Sequence, residues 1–268
     1  MTAEESIMKE ICISSYIGMF CDALRRTFGE RICFAGLQGS YGRGEATESS
    51  DIDLVVILDR LSPQDIAVYR HMLSGLPYRD RACGFLSGRG ELENWEPSDL
   101  FQFYFDTEPL IGSLDFLRNL LSREAVERAV RIGACNLYHG CVHNMVHERD
   151  PEILSALYKS AVFLLQAVCF RRTGLYLKKK ADLRKNVSGR EREILDIAEE
   201  RKREKSLPEM NGAAEAAERA EMMAEMAETA ESGSEKRKEQ FERQSELLFL
   251  WAQQLLLDFS GRKASENS

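Results

Sequence analysis

The run "DIDLVVIL" at 51–58 constrains the fold more than any other stretch of this 268-residue chain. It is β-branched and apolar almost throughout, which suits a buried strand. Yet it opens on two acids. Side chains alternate faces along a strand, so Asp51 and Asp53 point the same way while Ile52 points into the core. Two carboxylates so placed repel, and keeping both ionised is costly unless a cation sits between them.

The stretch ahead of the acids suggests what such a cation would serve. "RICFAGLQ", 31–38, reads as a short buried strand, and a turn-rich loop follows from Gly39 to Ser50. Gly39, Gly42 and Gly44 let the backbone approach a ligand, and Ser40 can donate to a phosphate oxygen. Arg43 can add a charge-assisted contact to the same phosphates. Mg²⁺ is a hard cation, usually held by one or two carboxylates plus substrate phosphates. Asp51 and Asp53 are therefore the expected metal ligands, and Gly39, Ser40, Gly42 and Arg43 the expected phosphate contacts.

Gly39-Ser40, the Gly/Arg-rich turn and "SDIDLVV" resemble the signature of the DNA polymerase β-like nucleotidyltransferases. Within that superfamily the chain is most similar to small bacterial enzymes that join this domain to a helical bundle, such as aminoglycoside nucleotidyltransferases. The resemblance implies that Gly39 and Ser40 bind the phosphates of a nucleoside triphosphate, with ATP the first expectation. Asp51 and Asp53 would hold two Mg²⁺ ions that activate an acceptor hydroxyl and stabilise departing pyrophosphate. Such enzymes usually carry a third carboxylate on the next strand, as metal ligand and general base. Here that strand, "RACGFLSG" at 81–88, has Cys83 and Gly84 instead, and the nearest acids are Asp80, Glu91 and Asp106.

The rest of the chain divides into two styles. Helical spacing over 4–27 aligns Ile7, Ile11, Phe20, Leu24 and Phe28, and "SPQDIAVYRHMLSGLP" starts a helix with Ser62 as N-cap, Pro63 next and Asp65 in the first turn. "SDLFQFYFDTEPLIGSLDFL" begins as a helix and passes into a loop. From about Ser122 the segments are helical with broad apolar faces, broken at Asp150-Pro151. Residues 208–234 are an Ala/Glu/Met tract, expected as a solvated helix or a disordered insertion, before a last amphipathic helix at about 235–259. The expected class is α+β: a nucleotidyltransferase domain at 1–120, with a small mixed sheet and flanking helices, then an all-α bundle at 121–268.

Two further clusters bear on chemistry. His139, His143 and His147 recur every four residues on one helical face. They line a domain interface or pack there, and His143 or Glu148 is a candidate to deprotonate the acceptor in place of the missing strand acid. The basic run Lys178, Lys179, Lys180, Arg184 and Lys185 is a solvated face or, through Lys179 above all, a contact to the triphosphate. Trp95 either stacks on a base or packs at a rim.

Charge and cysteines limit the alternatives. The net charge is −8, which disfavours nucleic acid as a partner and favours approach of a cationic acceptor. Seven scattered cysteines with no C-x-x-C pair read as reduced thiols. The N-terminus "MTAEESIMKE" does not read as a signal peptide, and no uninterrupted apolar run approaches the ~20 residues of a bilayer span. A cytoplasmic enzyme is expected, acting on a triphosphate and a small hydroxyl-bearing acceptor; the resemblance also allows a homodimer. Two other classes stay open: a toxin–antitoxin component that AMPylates a protein, and a non-catalytic nucleotide-binding protein. Arg131 and His139 have seven residues between them, too many for the Arg-x(4–6)-His ribonuclease motif of toxin partners.

Overall fold

The computed structural model describes residues 12–47, 50–206 and 219–266. They divide into two compact units, 1–126 and 127–268. Ile7 and Ile11, and the stretch 208–218 of the Ala/Glu/Met tract, lie outside the described residues.

The first unit is built on a four-stranded sheet of order β3-β2-β1-β4, with β1 Ile32–Gln38, β2 Ile52–Leu58, β3 Ala82–Gly88 and β4 Glu108–Gly112. β1 runs antiparallel to β2 and to β4, while β2 and β3 are parallel, so the sheet is mixed. The parallel pair needs a crossover, supplied by α3, Pro63–Ser74. Ser62 caps that helix as its sequence requires: its hydroxyl accepts from the Asp65 N–H at 3.2 Å, and its own N–H donates to Asp65 Oδ2 at 2.9 Å. Arg31 donates to the same carboxylate at 2.6 Å, joining the start of β1 to the crossover. The Arg31 guanidinium, helped by the Ser62 hydroxyl, holds the Asp65 carboxyl well below the usual carboxylate range.

One face of the sheet packs Ala35, Leu37, Ile52, Leu54, Val56 and Leu58 against α1, Ile13–Phe28, which contributes Tyr16, Phe20, Leu24 and Phe28. The other packs Phe34, Val55 and Ile57 against Leu92, Leu100, Leu114 and Leu117. Leu92 sits on the short helix α4, Arg89–Glu93, and Leu100 on α5, Pro97–Asp106. Each fully buried Val, Leu, Ile or Phe side chain among these contributes about 1.5–3 kcal/mol.

Three elements differ from the sequence expectation. Gly39–Arg43 is a short helix, α2, rather than an open turn. The strand expected over 51–58 starts at Ile52, leaving Asp51 just before it. β4 stands where a loop was expected; Pro109 hid it, and Pro is tolerated here because β4 is an edge strand with one unpaired side.

The second unit is helical: α6 Arg123–His143, α7 Pro151–Thr173, α8 Lys180–Asn186, α9 Gly189–Ser206 and α10 Arg219–Glu266. Asp150 caps α7 by accepting from the Glu152 N–H at 2.7 Å, and Pro151 fills its first position. α7 is long and apolar enough to cross a membrane by length and composition, although Lys159 interrupts its apolar run. In this fold it is a core helix, burying Leu154, Tyr158, Leu165 and Val168 and packing on α8, α9 and α10. α9 is rich in charge along its length, yet its Ile194 and Leu195 are fully buried. α10 joins residues 219–234 of the biased tract to the expected last helix, whose Leu248, Trp251, Ala252 and Leu255 are buried.

Candidate active site

The second face of the sheet is apolar until its last row. Gln38 on β1 pairs with Asp53 on β2, and Asp53 pairs with Cys83 on β3. Paired residues share a face, so Gln38, Asp53 and Cys83 stand side by side in the row beyond Gly36, Val55 and Phe85. Asp53 is half-buried, while Cys83 and Asp51 are exposed.

Gly39 is where the glycine turn meets the carboxylate. Its φ is +65°, and an added Cβ would lie 1.8 Å from Asp53 Oδ2. A side chain is thus excluded twice, by backbone conformation and by the acid. Gly42 answers a different need, since a Cβ there would lie 2.7 Å from the Leu37 carbonyl oxygen against which α2 folds back. Ser40 is the second residue of α2, and its carbonyl accepts from the Glu45 N–H at 2.8 Å. The first N–H groups of a helix have no partner within it, and the Asp53 carboxylate lies beside Gly39 at the start of α2.

Arg43 is engaged with protein carboxylates. Its Nη1 donates to Asp106 Oδ2 at 2.8 Å and its Nε to Glu45 Oε2 at 3.4 Å. The guanidinium therefore ties α2 to the end of α5 in a largely buried contact, and contacting phosphate would require exchanging those partners.

Sequence reasoning passed over two bracing residues. Gln38 Nε2 donates to Thr107 Oγ1 at 2.6 Å and to the Phe103 carbonyl at 3.3 Å, fixing the row against α5. Arg81 Nη2 donates to the Ser50 carbonyl at 2.7 Å and to the Tyr41 hydroxyl at 3.3 Å, and the Arg81 carbonyl accepts the Ile52 N–H at 2.8 Å. Arg81 thereby fixes the segment carrying Asp51 against both β3 and α2. Its sequence signal was its place directly before a strand, beside the residues sought for a third acid.

The remaining predicted residues lie in the second unit. α6 ends in a wide five-residue turn, Asn144–Glu148, that brings His143 Nε2 to 3.4 Å from Glu148 Oε1. The His139 and His143 rings are 6.2 Å apart and those of His143 and His147 5.1 Å apart, all three exposed. In the basic run, Arg184 pairs with Asp196 and Glu199, and Lys185 with Asp182 at 2.9 Å, whereas Lys179 is exposed at the N-cap of α8. A cavity of about 430 Å³ opens between α9 and α10, lined by Glu193, Glu200, Glu239 and Arg243 among others, and holds none of the motif residues.

The donor set at the sheet edge suits a hard divalent ion. Asp51 and Asp53 offer oxygen, and Gly39, having no Cβ, lets the Asp53 carboxylate lie directly against the turn. Among the described residues no three His, Cys, Asp or Glu side chains form a ready metal cage. Such an edge matches Mg²⁺ held by one or two carboxylates and completed by phosphate oxygens.

A family model described as nucleotidyltransferase domain matches residues 20–105. No curated protein matches. Among solved structures, the chain is similar to spectinomycin adenyltransferase AAD(9) from Enterococcus faecialis, determined with ATP and spectinomycin. The identity is 15%, the TM-score 0.48, and the match covers 74% of this chain and 93% of that one. The matched residues 20–105 contain α2, the Gln38–Asp53–Cys83 row and Arg81, and they form a nucleotidyltransferase domain.

Proposed function

We propose that this protein transfers a nucleoside monophosphate from a triphosphate, ATP first among them, to a hydroxyl of a small molecule such as an aminoglycoside-like antibiotic. One observation carries the reading: within the nucleotidyltransferase match, the Asp53 carboxylate lies against Gly39 at the start of α2. In this reading a metal-bearing phosphate chain binds beside both the carboxylate and the glycine turn.

In this reading the backbone N–H groups at the start of α2, with the Ser40 hydroxyl, hold the terminal phosphates. Asp51 and Asp53 hold Mg²⁺, two ions by family resemblance, which when bound neutralises phosphate charge as a Lewis acid. Gln38 and Arg81 keep the two strands and the Asp51 segment in place, so the carboxylates need not reorganise during the reaction. The acceptor oxygen forms a bond to the α-phosphorus, the bond from that phosphorus to the bridging oxygen breaks, and pyrophosphate leaves. The acceptor proton passes to a general base or to water.

Cys83 favours a second reading. It occupies the position beside Asp53 where the family resemblance leads one to expect a third acid, and sulfur is a poor ligand for Mg²⁺. A protein that binds nucleotide without turning it over fits that substitution. The deciding experiment is pyrophosphate release from each of the four nucleoside triphosphates with Mg²⁺, against aminoglycosides and other hydroxyl-bearing compounds. Release that needs an acceptor and is lost in Asp51→Asn and Asp53→Asn supports transfer. Nucleotide binding without release across the panel supports the binding protein, or a protein acceptor outside the panel.

A further inference from the structure

One row inward from Asp53 and Cys83, the β3 residue on the same face is Phe85. Phe85 pairs with Val55 and is the next residue after Cys83 on the same face, ~7 Å further along the strand. Its ring meets Trp95 edge-on, with centroids 5.7 Å apart, and Phe103 at 5.1 Å. Phe85 and Phe103 are half-buried, but Trp95 is 42% exposed. The indole is thus backed by packed rings and open on the outside, and Gln38, bonded to the Phe103 carbonyl, ties this aromatic group to the carboxylate row.

Position and charge both point to one occupant. Across the sheet the order is Gly39 at the end of β1, Asp53 on β2 and Cys83 on β3, with Phe85 following Cys83 on the same face of β3 and Trp95 packed on Phe85 from the segment between α4 and α5. In an in-line displacement the attacking oxygen and the departing pyrophosphate lie on opposite sides of the reacting phosphorus. With the terminal phosphates at the start of α2 and the reacting phosphoryl beside Asp51 and Asp53, the attacking hydroxyl arrives from the β3 side. Two exposed acids, Glu91 and Asp99, flank Trp95 in the chain, whereas Glu93 is committed to Arg89 at 2.8 Å.

We propose that Trp95, backed by Phe85 and Phe103, is the acceptor platform and receives a saturated, hydroxyl-bearing ring carrying an amine. The C–H face of the ring lies on the indole, and its ammonium group meets the ring quadrupole and the flanking acids. Trp95 is then a specificity residue for the acceptor and not for the nucleotide. The inference rests on the transferase reading above.

The test is calorimetric titration of the full chain with aminoglycosides and glucosamine, and separately with the α,β-methylene analogue of ATP plus Mg²⁺. Emission is followed in a Trp251→Phe background, since Trp95 and Trp251 are the chain's two tryptophans. Amine-bearing rings should change Trp95 emission. Trp95→Ala should weaken their binding ~tenfold or more while leaving the analogue within about twofold, with Trp95→Phe in between. The proposal is overturned if the analogue, not the rings, depends on Trp95, which would make the platform a base-stacking site. It is also overturned if the rings bind Trp95→Ala as tightly as the parent, or fail to bind a protein that takes the analogue. Failure of the analogue itself to bind the parent would strike the transferase reading instead.

Discussion

The two faces of the four-stranded sheet share the same strands and end differently. Toward α1 and α3 the β2 residues are apolar throughout: Ile52, Leu54, Val56 and Leu58 are all fully buried. Toward α5, Val55 and Ile57 are equally buried, but the next residue on that face is Asp53, in line with Gln38 and Cys83. The closed face contributes stability through burial. The other gives up its final row to polar groups held by Gln38, Arg81 and the Gly39 contact. The proposed chemistry lies where covering stops, on a support whose position the closed face secures.

If that division is right, the largest functional effect belongs to the open row. Asp53→Asn should lower turnover by ~100–1000-fold while the thermal midpoint stays within a few degrees. A parallel loss of fold, seen by circular dichroism, would mean that Asp53 serves structure. Next is the converse change. Leu54→Ala on the closed face should cost about 2–5 kcal/mol in denaturant unfolding, with Mg²⁺–nucleotide affinity unchanged in the folded fraction. A large affinity loss there would erase the distinction between the faces.

Gly39→Ala tests the seam between them. A methyl group 1.8 Å from Asp53 Oδ2 at a φ of +65° should cost ~1–3 kcal/mol of stability and also displace the carboxylate, weakening nucleotide binding. Wild-type nucleotide affinity in that variant would show that the contact is incidental. The smallest effect is the acid dependence of the Arg31–Asp65 brace. Because Arg31 depresses the folded pKa of Asp65, its contribution is present above the unfolded value of about 4 and fades as pH falls below it. Melting from pH 6 to 3 should decline less steeply in Asp65→Asn than in the parent.

Much of this division was legible in the chain. β2 and its acids declared themselves because burial forces an apolar alternation that Asp51 and Asp53 break. The α3 cap was equally plain, since Ser62, Pro63 and Asp65 each have a local reason to stand where they do. What escaped notice depends on contacts distant in sequence. Gly39 reads as a turn residue until Asp53 is seen against it, and Arg43 reads as a phosphate ligand until Asp106, 63 positions away, is found on its guanidinium. β4 was hidden by Glu108-Pro109, which look like loop residues but suit an edge strand. Trp95 gave no sign of Phe85 and Phe103, because neither ring shares its local periodicity.

The open row as a metal–nucleotide site is tested most directly by calorimetry with the α,β-methylene analogue of ATP, with and without Mg²⁺, in the parent, Asp51→Asn and Asp53→Asn proteins. Binding that requires Mg²⁺ in the parent and weakens at least ~tenfold in each variant is the expected result. Equal affinity in all three, or binding indifferent to Mg²⁺, would contradict it.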